Sequence, residues 1–254
     1  MLVSPKRYGS EAVTIVTWAD GTDAEIANMV AAADNGDIDL TDYWSVGQER
    51  VVSLAAMEAS GSNDYGSWSV GESHAAQDVT LVIMNEGYSV TGVDNSHVHF
   101  VVGLKHCLNE TGNIGFNNRN WKGSKRRGWC NSIFYVSFPE TLKPIFKMFN
   151  TKTASTGDNN TSIDITEDRF TLFAEKEIFG SKTWCADTEA AQLNQITWYE
   201  TSSNRIKQVS GSNYDWWERS SAYYSTGIFC LVYNGDARNG YEDYSRGLAP
   251  FGCI

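Results

Sequence analysis

Tyr214-Asp-Trp-Trp-Glu-Arg-Ser220 is the most informative segment of the chain, because it combines two adjacent tryptophans with an arginine in one short, strand-like run. Neighbouring residues of a strand face opposite sides of the sheet. We therefore expect one of the rings of Trp216 and Trp217 to fill the core and the other to pack beneath a loop. Arg219 is predicted to make a buried, fork-like contact with a carboxylate or with backbone carbonyls. All three residues are interpreted as structural rather than ligand-binding.

Two later segments complete a structural frame around this run. Ile228-Phe-Cys-Leu-Val-Tyr-Asn-Gly235 and Arg246-Gly-Leu-Ala-Pro-Phe-Gly-Cys-Ile254 are predicted to contain short strands at 228–233 and 248–254, which accompany a strand at 216–219. The last of these strands is expected to close on the core. The predicted frame consists of Trp216, Trp217, Arg219, Phe229, Val232, Gly235, Gly247 and Pro250.

Upstream of the frame, helical and strand-like patterns alternate. Residues 23–34 are predicted to form a helix, because Thr22 or Asp23 can cap its start and Gly36 ends it. The mixture indicates an α+β class with short strands, two or three helices and long loops. Residues 1–45 are interpreted as an N-terminal attachment segment with one helix, and residues 46–254 as the main domain. The other predicted helices are 126–134, 139–149 and 189–199, with 201–209 as a candidate extension, and the other predicted strands are 13–18, 49–54, 78–85, 98–104 and 170–174.

Between the fixed points of the frame, residues 222–246 have the composition of a contact surface. Tyr, Asn, Ser, Asp, Gly and Arg dominate this segment. Tyrosine offers a large contact area at a small entropy cost, and Ser, Gly and Asn adapt their hydrogen bonds, as in antibody binding loops. We expect these positions to face outward and bind a ligand; the alternative is an ordinary hydrophilic loop. The candidate ligand-binding residues are Tyr223, Tyr224, Tyr233, Asn234, Asp236, Arg238, Asn239, Tyr241, Tyr244 and Arg246.

The frame also carries a resemblance to a known group of proteins. The ending of the chain resembles that of a large uncharacterised family found in gut bacteria and their phages, and further blocks occur upstream in the same order, over roughly residues 23–254. That family is similar to C-type-lectin folds, of the kind shared by formylglycine-generating enzymes and by the variable proteins of diversity-generating retroelements. The upstream blocks are Tyr43-Trp-Ser-Val-Gly47, Trp121-Lys-Gly-Ser-Lys-Arg-Arg-Gly-Trp-Cys-Asn131, Phe138-Pro-Glu-Thr-Leu142 and Phe170-Thr-Leu-Phe-Ala-Glu-Lys-Glu-Ile-Phe-Gly180.

The resemblance implies a C-type-lectin-like fold at 46–254 with a display surface at 222–246. In retroelement-diversified relatives, adenine-directed mutagenesis of asparagine codons produces the same residue alphabet at exposed sites. Glu242 does not fit an origin by adenine-directed mutagenesis of an asparagine codon, so we expect the template of a retroelement to keep this residue fixed. Formylglycine-generating relatives use a reactive cysteine pair, to which Cys230 and Cys253 do not correspond. The calcium-binding motifs of sugar-binding C-type lectins are not found in the sequence.

Charge and cysteine usage limit the classes of partner. The net charge of −11 and the pI near 4.8 disfavour nucleic acid and anionic membranes, because both partners are polyanions. No apolar stretch reaches the length needed to cross a bilayer, and residues 1–20 do not resemble a secretion signal. The five cysteines (107, 130, 185, 230 and 253) follow no metal-binding spacing, and we expect them to be reduced and mostly buried.

Other chemically suggestive residues receive structural interpretations. His97 and His99 have a spacing that suits zinc with His106 as a third ligand, but a feature of the sheet surface is favoured. No metal, cofactor or catalytic residue is predicted. Glu175, Glu177 and Glu218 are candidates for an acid–base pair, although nothing in the sequence sets their separation. We interpret one basic run as forming salt bridges rather than an anion site; it consists of Lys122, Lys125, Arg126 and Arg127. The Asn-x-Ser/Thr sequons are interpreted as ordinary loop residues; their asparagines are Asn109, Asn159 and Asn160.

These observations favour a ligand-binding display protein over an enzyme. The first hypothesis is a phage receptor-binding or host-adhesion protein on the virion, in the tail or on the surface; a bacterial cell surface or the cytoplasm is the alternative location. Its partner would be a protein or glycan of the host surface. Residues 1–45 would attach it to other virion proteins or to sister subunits, and a trimer or another homo-oligomer would multiply weak contacts. The rival hypotheses are a structural virion decoration or tail protein, and an enzyme on a formylglycine-generating scaffold.

Overall fold

The computed structural model describes residues 13–63, 66–69, 73–114, 120–155, 162–225 and 227–254. Its largest sheet is antiparallel and has five strands in the order β1-β4-β5-β14-β8. The C-terminal strand β14 lies between β5 and β8, where Phe251 is opposite both Gly103 and Thr171. The predicted closure of the last strand on the core is therefore confirmed. The strands of this sheet are β1 (Glu49–Leu54), β4 (Gln77–Glu86), β5 (Phe100–Leu104), β8 (Phe170–Thr171) and β14 (Phe251–Cys253).

A second sheet carries the Trp-Trp segment. It has three strands in the order β11-β12-β13, and its central strand pairs with antiparallel neighbours on both sides. Further two-stranded hairpins lie around the two sheets. The strands of the second sheet are β11 (Trp216–Ser221), β12 (Ile228–Tyr233) and β13 (Asp236–Tyr241). The hairpins are formed by β2 (Ser60–Asn63) with β3 (Gly66–Ser69), β6 (Phe149–Ala154) with β7 (Ile163–Asp168), and β9 (Lys207–Val209) with β10 (Ser212–Tyr214).

The described part of the chain combines antiparallel sheets with a few short helices, so the α+β class is confirmed at this coarse level. Helix α1 (Asp23–Asp34) matches its prediction, and Thr22 with Glu25 forms a capping box at its start. Helix α2 (Lys125–Trp129) continues as a π-helical turn, Cys130–Phe134, which confirms the helix predicted at 126–134. The remaining α-helices are α3 (Glu175–Phe179) and α4 (Asp187–Ala190).

Two predicted helices were wrong. Residues 139–149 contain only the 3₁₀ turn Lys143–Ile145, because Phe146 is extended and Phe149 already begins β6. Residues 189–199 leave the α-helical conformation after Ala190, because Leu193 forms a bridge to Val90 on another part of the chain, and a separate 3₁₀ turn, Thr197–Glu200, follows. In both segments, long-range pairing overrides the apolar periodicity that suggested a helix.

Three smaller predictions also need correction. Residues 201–209 do not extend a helix, since a 3₁₀ turn, Ser202–Arg205, leads directly into β9. The strand predicted at 170–174 is confined to β8, and the described residues of 13–18 form no strand.

The N-terminal segment packs into the same core as the rest of the chain. Trp18, Met29 and Trp44 are fully or almost fully buried in the main hydrophobic cluster, and the Trp18 and Trp44 rings meet edge to face at 5.4 Å. Arg50 of β1 donates to the carbonyl of Trp18 and forms an ion pair with Asp23. The described part of residues 1–45 is thus integrated with the main domain, and its attachment role stays a prediction.

Helix length bears on the question of membrane insertion. In the ranges that the structure describes, every helix is too short or too polar to span a bilayer.

The turn between β12 and β13 offers a test of the fold. Asn234 and Gly235 both have positive φ angles, 48° and 88°, as a two-residue hairpin turn of the I′ type requires. A Cβ atom on Gly235 would also lie 3.2 Å from Ile206. We expect Gly235→Ala to lower the free energy of unfolding by about 1 kcal/mol or more in urea denaturation. Gly227→Ala is the control, because its added Cβ meets nothing within 4 Å and its φ is not left-handed. Equal losses in the two variants would contradict this account of the turn.

Candidate functional site

A bulge in β11 determines which side chains lie beneath the predicted display segment. Trp217 is opposite Leu231 and Ser221 is opposite Phe229, so that Glu218, Arg219 and Ser220 together face the single residue Cys230. A bulge of this kind turns side chains away from the normal alternation of a strand. As a result, three consecutive polar residues, Glu218, Arg219 and Ser220, are all buried.

The two tryptophans of the frame occupy separate environments, as predicted. The Trp216 indole donates to the carbonyl of Arg205 at 2.9 Å and its ring stacks with Tyr199 at 6.0 Å. The Trp217 indole donates to the carbonyl of Gly112 at 3.0 Å, beneath the loop that follows β5. Both rings are buried and both indole N–H groups are satisfied, so these residues support the sheet from its two faces.

Arg219 makes the fork-like contact that the sequence predicted, and its partner is Glu177 of α3. The two terminal nitrogens of Arg219 lie 2.6 and 2.8 Å from the two carboxylate oxygens of Glu177. Arg219 also donates to the carbonyl of Leu172 at 2.7 Å, and the Tyr88 hydroxyl donates to Glu177 at 2.5 Å. Burial opposes the charge of Arg219, but the attraction of Glu177 outweighs it and raises the pKa of Arg219. The pair is therefore a fully desolvated structural ion pair.

Glu175, the first residue of α3 and two positions before Glu177, holds a loop in place. Its carboxyl oxygens accept the backbone N–H groups of Thr183, Trp184 and Cys185 at 2.8–3.0 Å. The carbonyl of Trp184 in turn accepts the N–H of Tyr223 at 2.7 Å. The buried carboxyl thus positions residues 183–185 beside the predicted display segment.

Most of the predicted ligand-binding residues are exposed. The five tyrosines at 223, 224, 233, 241 and 244 expose 36–56% of their surface, although they occupy only a short segment. Asn234, Asp236 and Arg238 are exposed, whereas Asn239 and Arg246 are half-buried. Glu242, which the sequence excluded from the set, is buried. The pattern agrees with the expected outward-facing surface.

The contacts near Trp184 form the centre of this surface. The Tyr223 and Tyr224 rings meet edge to face at 5.2 Å, and Tyr224 meets Trp184 in the same way at 6.1 Å. The ammonium group of Lys182 lies 5.6 Å above the Tyr223 ring. The Trp184 indole donates to the carbonyl of Ala237 at 3.3 Å, which joins the loop to β13.

A second group of contacts continues the surface towards the loop after β13. Tyr241 and Tyr244 meet edge to face at 5.6 Å, and Arg246 lies 5.4 Å from the Tyr244 ring. Burial raises the pKa of Tyr224, and the proximity of Tyr241 adds to this rise while a hydrogen bond to Asn239 opposes it. The two groups are therefore neighbours, and together we call them the aromatic surface. The aromatic surface consists of Lys182, Trp184, Tyr223, Tyr224, Asn239, Tyr241, Tyr244 and Arg246.

The other four predicted residues lie at the tip and on the opposite face of the hairpin. Arg238 is paired with Leu231 and Asn239 with Cys230, and consecutive strand residues point to opposite faces. Arg238 lies 6.0 Å from the Tyr233 ring, next to the turn. The structure therefore divides the predicted set into the aromatic surface and a hairpin tip. The hairpin tip consists of Tyr233, Asn234, Asp236 and Arg238.

Lys182 and Trp184 were missed by the sequence reasoning. They lie some forty residues before the tyrosine-rich segment, and no local pattern links them to it. Glu175 was recognised, but as a candidate acid or base rather than as the anchor of this loop.

The two histidines of the predicted pair, His97 and His99, contact different partners rather than a shared metal site. His97 bonds to the carbonyl of Met148 at 2.7 Å, whereas His99 bonds to Asp34 at 2.9 Å. Within the described ranges, no group of three or more His, Cys, Asp or Glu residues is arranged to hold a metal ion.

Two residues of the basic run form ion pairs, as predicted, and the buried Arg126 donates to the carbonyl of Asn113 at 2.8 Å. Arg127 pairs with the buried Asp168 at 2.7 Å, and Lys122 pairs with Asp164 at 3.0 Å. The five cysteines are buried and unbridged, as expected.

Of the sequons, Asn109 is exposed, and Asn159 and Asn160 lie outside the described residues.

Comparison with known proteins gives a family without a described activity. A family model, described as a domain of unknown function (DUF6273), matches residues 71–254, which include the second sheet and the aromatic surface. No curated protein and no solved structure matched the chain. Because the match covers well over half of its length, the chain belongs to the DUF6273 family.

Proposed function

We propose that this chain is a ligand-binding display protein with a C-type-lectin-like fold. The observation that carries the proposal is the contrast between a rigid frame and an exposed aromatic surface. Trp216, Trp217 and Arg219 are buried, and both indole N–H groups and both terminal nitrogens of Arg219 are engaged, while the tyrosines that follow them are exposed. A surface of exposed tyrosines on a fixed scaffold is typical of binding sites.

The energetics of association also support binding. Exposed rings that already contact each other lose little freedom when a partner covers them. Tyr223 and Tyr224 hold each other edge to face, and Trp184 is fixed by hydrogen bonds from both its backbone and its indole. The aromatic surface is therefore largely preorganised.

The biological setting of the proposal comes from the resemblance in the sequence. We propose a receptor-binding or host-adhesion protein of a phage virion, whose partner is a protein or glycan of the host surface. Residues 1–45 would provide attachment to other virion proteins or to sister subunits in a homo-oligomer.

The enzymatic alternative receives less support from the thiols. Cys230 and Cys253 are buried, and burial raises the pKa of each thiol well above its ordinary value. The thiolate is the reactive form of cysteine. These two residues are thus unsuited to the chemistry of a reactive cysteine pair.

The proposed function is tested by removing rings from both parts of the predicted set. Binding of the purified chain to whole gut-bacterial cells and to an array of bacterial surface glycans would be compared for Tyr223→Ala, Tyr233→Ala and Tyr241→Ala. We expect a loss of more than about tenfold in affinity for Tyr223→Ala and Tyr241→Ala, because truncated aromatic hot spots cost about 2 kcal/mol or more.

Tyr214→Ala is the matched control, since Tyr214 is exposed in β10 and belongs to neither part of the set. Unchanged binding in the Tyr223 and Tyr241 variants would count against the display proposal. Burial of the aromatic surface against a capsid or tail protein would favour the rival role as a virion decoration.

A further inference from the structure

A group of carboxyls lies buried directly beneath the aromatic surface, and one of them has no partner. Glu218 is 0% exposed, and neither of its carboxyl oxygens has a hydrogen-bond partner among the described residues. The bulge in β11 turns it inward, opposite Cys230. An ionised carboxylate without donors is very costly at such a position, so Glu218 is held in its neutral form.

Glu189 of α4 belongs to the same group. One of its carboxyl oxygens accepts the N–H of Ala154 at 2.7 Å, and the other accepts the hydroxyl of Ser220. The Ser220 oxygen also accepts the N–H of Glu175 at 3.1 Å. Ser220 thus links Glu189 to the residue that anchors the loop at 183–185.

The charges in this region are unbalanced. Four buried carboxyls surround one buried guanidinium, and Glu177 already engages that guanidinium in a bidentate pair. A further negative charge at Glu189 or Glu218 would therefore lie near Glu175 without a cation of its own. The titratable and charged groups that face Glu189 and Glu218 are Glu175 and Glu177 on α3, Arg219 on β11, Cys230 on β12, and Cys185 and Tyr199 from the connecting segments.

We infer that the buried carboxyls of Glu189 and Glu218 form a proton-binding site that couples the position of residues 183–185, and with it the aromatic surface, to pH. Loss of the protons places like charges beside Glu175, whose carboxyl holds three N–H groups of the loop. Relief of the repulsion requires water to reach the carboxyls, and residues 183–185, which Glu175 holds and which include Trp184 of the aromatic surface, lie next to them. The coupling would regulate ligand binding, a consequence that rests on the proposed function.

The titration of Glu189 sets the direction of the effect. Burial raises the pKa of Glu189 from 4.5 to about 7, because it outweighs the hydrogen bonds from Ala154 and Ser220 and the charge of Arg219, which lower the pKa. Between these values the folded chain keeps a proton that the unfolded chain has lost, so this contribution to stability is complete at acid pH and is lost as the pH rises through the interval. Burial and the charges of Glu175 and Glu189 also raise the pKa of Glu218, which adds an effect of the same sign.

The titration of Lys207 changes the stability in the opposite direction, and its ammonium group lies 5.6 Å from the Tyr199 ring and 5.2 Å from the Trp216 ring. Burial lowers the pKa of Lys207 from 10.5 to about 8, so its contribution makes the folded chain more stable as the pH rises across that interval. Lys207 donates to the carbonyl of Lys105 at 3.1 Å, at the end of β5. A local measurement at 183–185 therefore separates the two effects.

Amide hydrogen exchange between about pH 5 and about pH 9, corrected for the intrinsic pH dependence of exchange, tests the inference without any ligand. Amides of α1 serve as the internal reference. We expect the protection of residues 183–185, relative to α1, to fall about tenfold or more over this range in the unmodified chain. In the double variant Glu189→Gln/Glu218→Gln the fall should shrink to about threefold or less, because neither side chain can ionise.

If the double variant does not fold, Glu218→Gln decides alone, since it replaces an unpartnered carboxyl with a side chain of the same shape. In this single variant, the pH-dependent fall in the protection of residues 183–185 should be at least about threefold smaller than in the unmodified chain. A flat pH profile in the unmodified chain, an unchanged fall in Glu218→Gln, or an equal fall at α1 would overturn the inference. None of these results depends on ligand binding, so failure here leaves the proposed function standing, and failure of the tyrosine variants leaves the proton coupling standing.

Discussion

Arg219→Met is expected to lower the free energy of unfolding by about 3–5 kcal/mol, the cost of leaving a buried carboxylate without its partner. The Glu177 carboxylate is buried and receives both terminal nitrogens of Arg219. Methionine fills much of the same volume but offers no donor. Urea denaturation at 25 °C measures the loss, which is a large part of the stability of an ordinary domain.

A second substitution at Glu177 separates the charge from the packing. Arg219→Met/Glu177→Gln should recover part of the loss, because it removes the uncompensated charge that the single variant leaves behind. Arg238→Met is the matched control, since Arg238 is exposed, and its change should stay within about 0.5 kcal/mol. A loss below about 1 kcal/mol for Arg219→Met would show that the pair does not hold α3 against β11.

Glu175→Ala is the second large effect, with an expected loss of about 3–5 kcal/mol, because each unsatisfied buried N–H group costs about 1–3 kcal/mol. Three N–H groups, those of Thr183, Trp184 and Cys185, lose their acceptor in this variant. The loop carries Trp184, so we also expect faster hydrogen exchange at 183–185. Urea denaturation and exchange on the same samples measure both effects.

Two variants define the limits of this effect. Glu175→Gln keeps one acceptor oxygen and should lose less than Glu175→Ala. Glu200→Ala removes an exposed carboxylate at the end of a 3₁₀ turn, and its change should stay within about 0.5 kcal/mol. If Glu175→Ala matched Glu200→Ala in stability and in exchange, the anchoring role of Glu175 would have to be abandoned.

The two largest predictions concern residues that the sequence singled out for different reasons. Arg219 was expected to make a buried fork, and it does, but Glu177 lies 42 positions away and was considered only as an acid–base candidate. Glu175 was placed in the same candidate pair, whereas it accepts three backbone N–H groups. Carboxyl identity is visible in a sequence, but the donors that surround a carboxyl depend on how distant segments pack.

The wrong helices show a related limit. Residues 139–149 and 189–199 have apolar spacings that suit a helix, yet Phe149 begins β6 and Leu193 bridges to Val90. Apolar spacing reports which residues prefer burial, and several backbone conformations bury the same residues. Helix α1 was predicted correctly because its signals are local, with the cap Thr22 and the terminating Gly36 both adjacent to it.

Local chemistry thus accounts for the α1 boundaries, the burial of both tryptophans, the I′ turn at Asn234 and Gly235, and the exposure of the tyrosines. Each depends on one residue and its immediate neighbours, so it can be read along the chain. The bulge in β11, the partner of Arg219 and the place of Lys182 and Trp184 in the aromatic surface arise only when the strands pair and α3 packs against them. Register and long-range contact depend on the summed packing of distant segments, and no short stretch of sequence contains that sum.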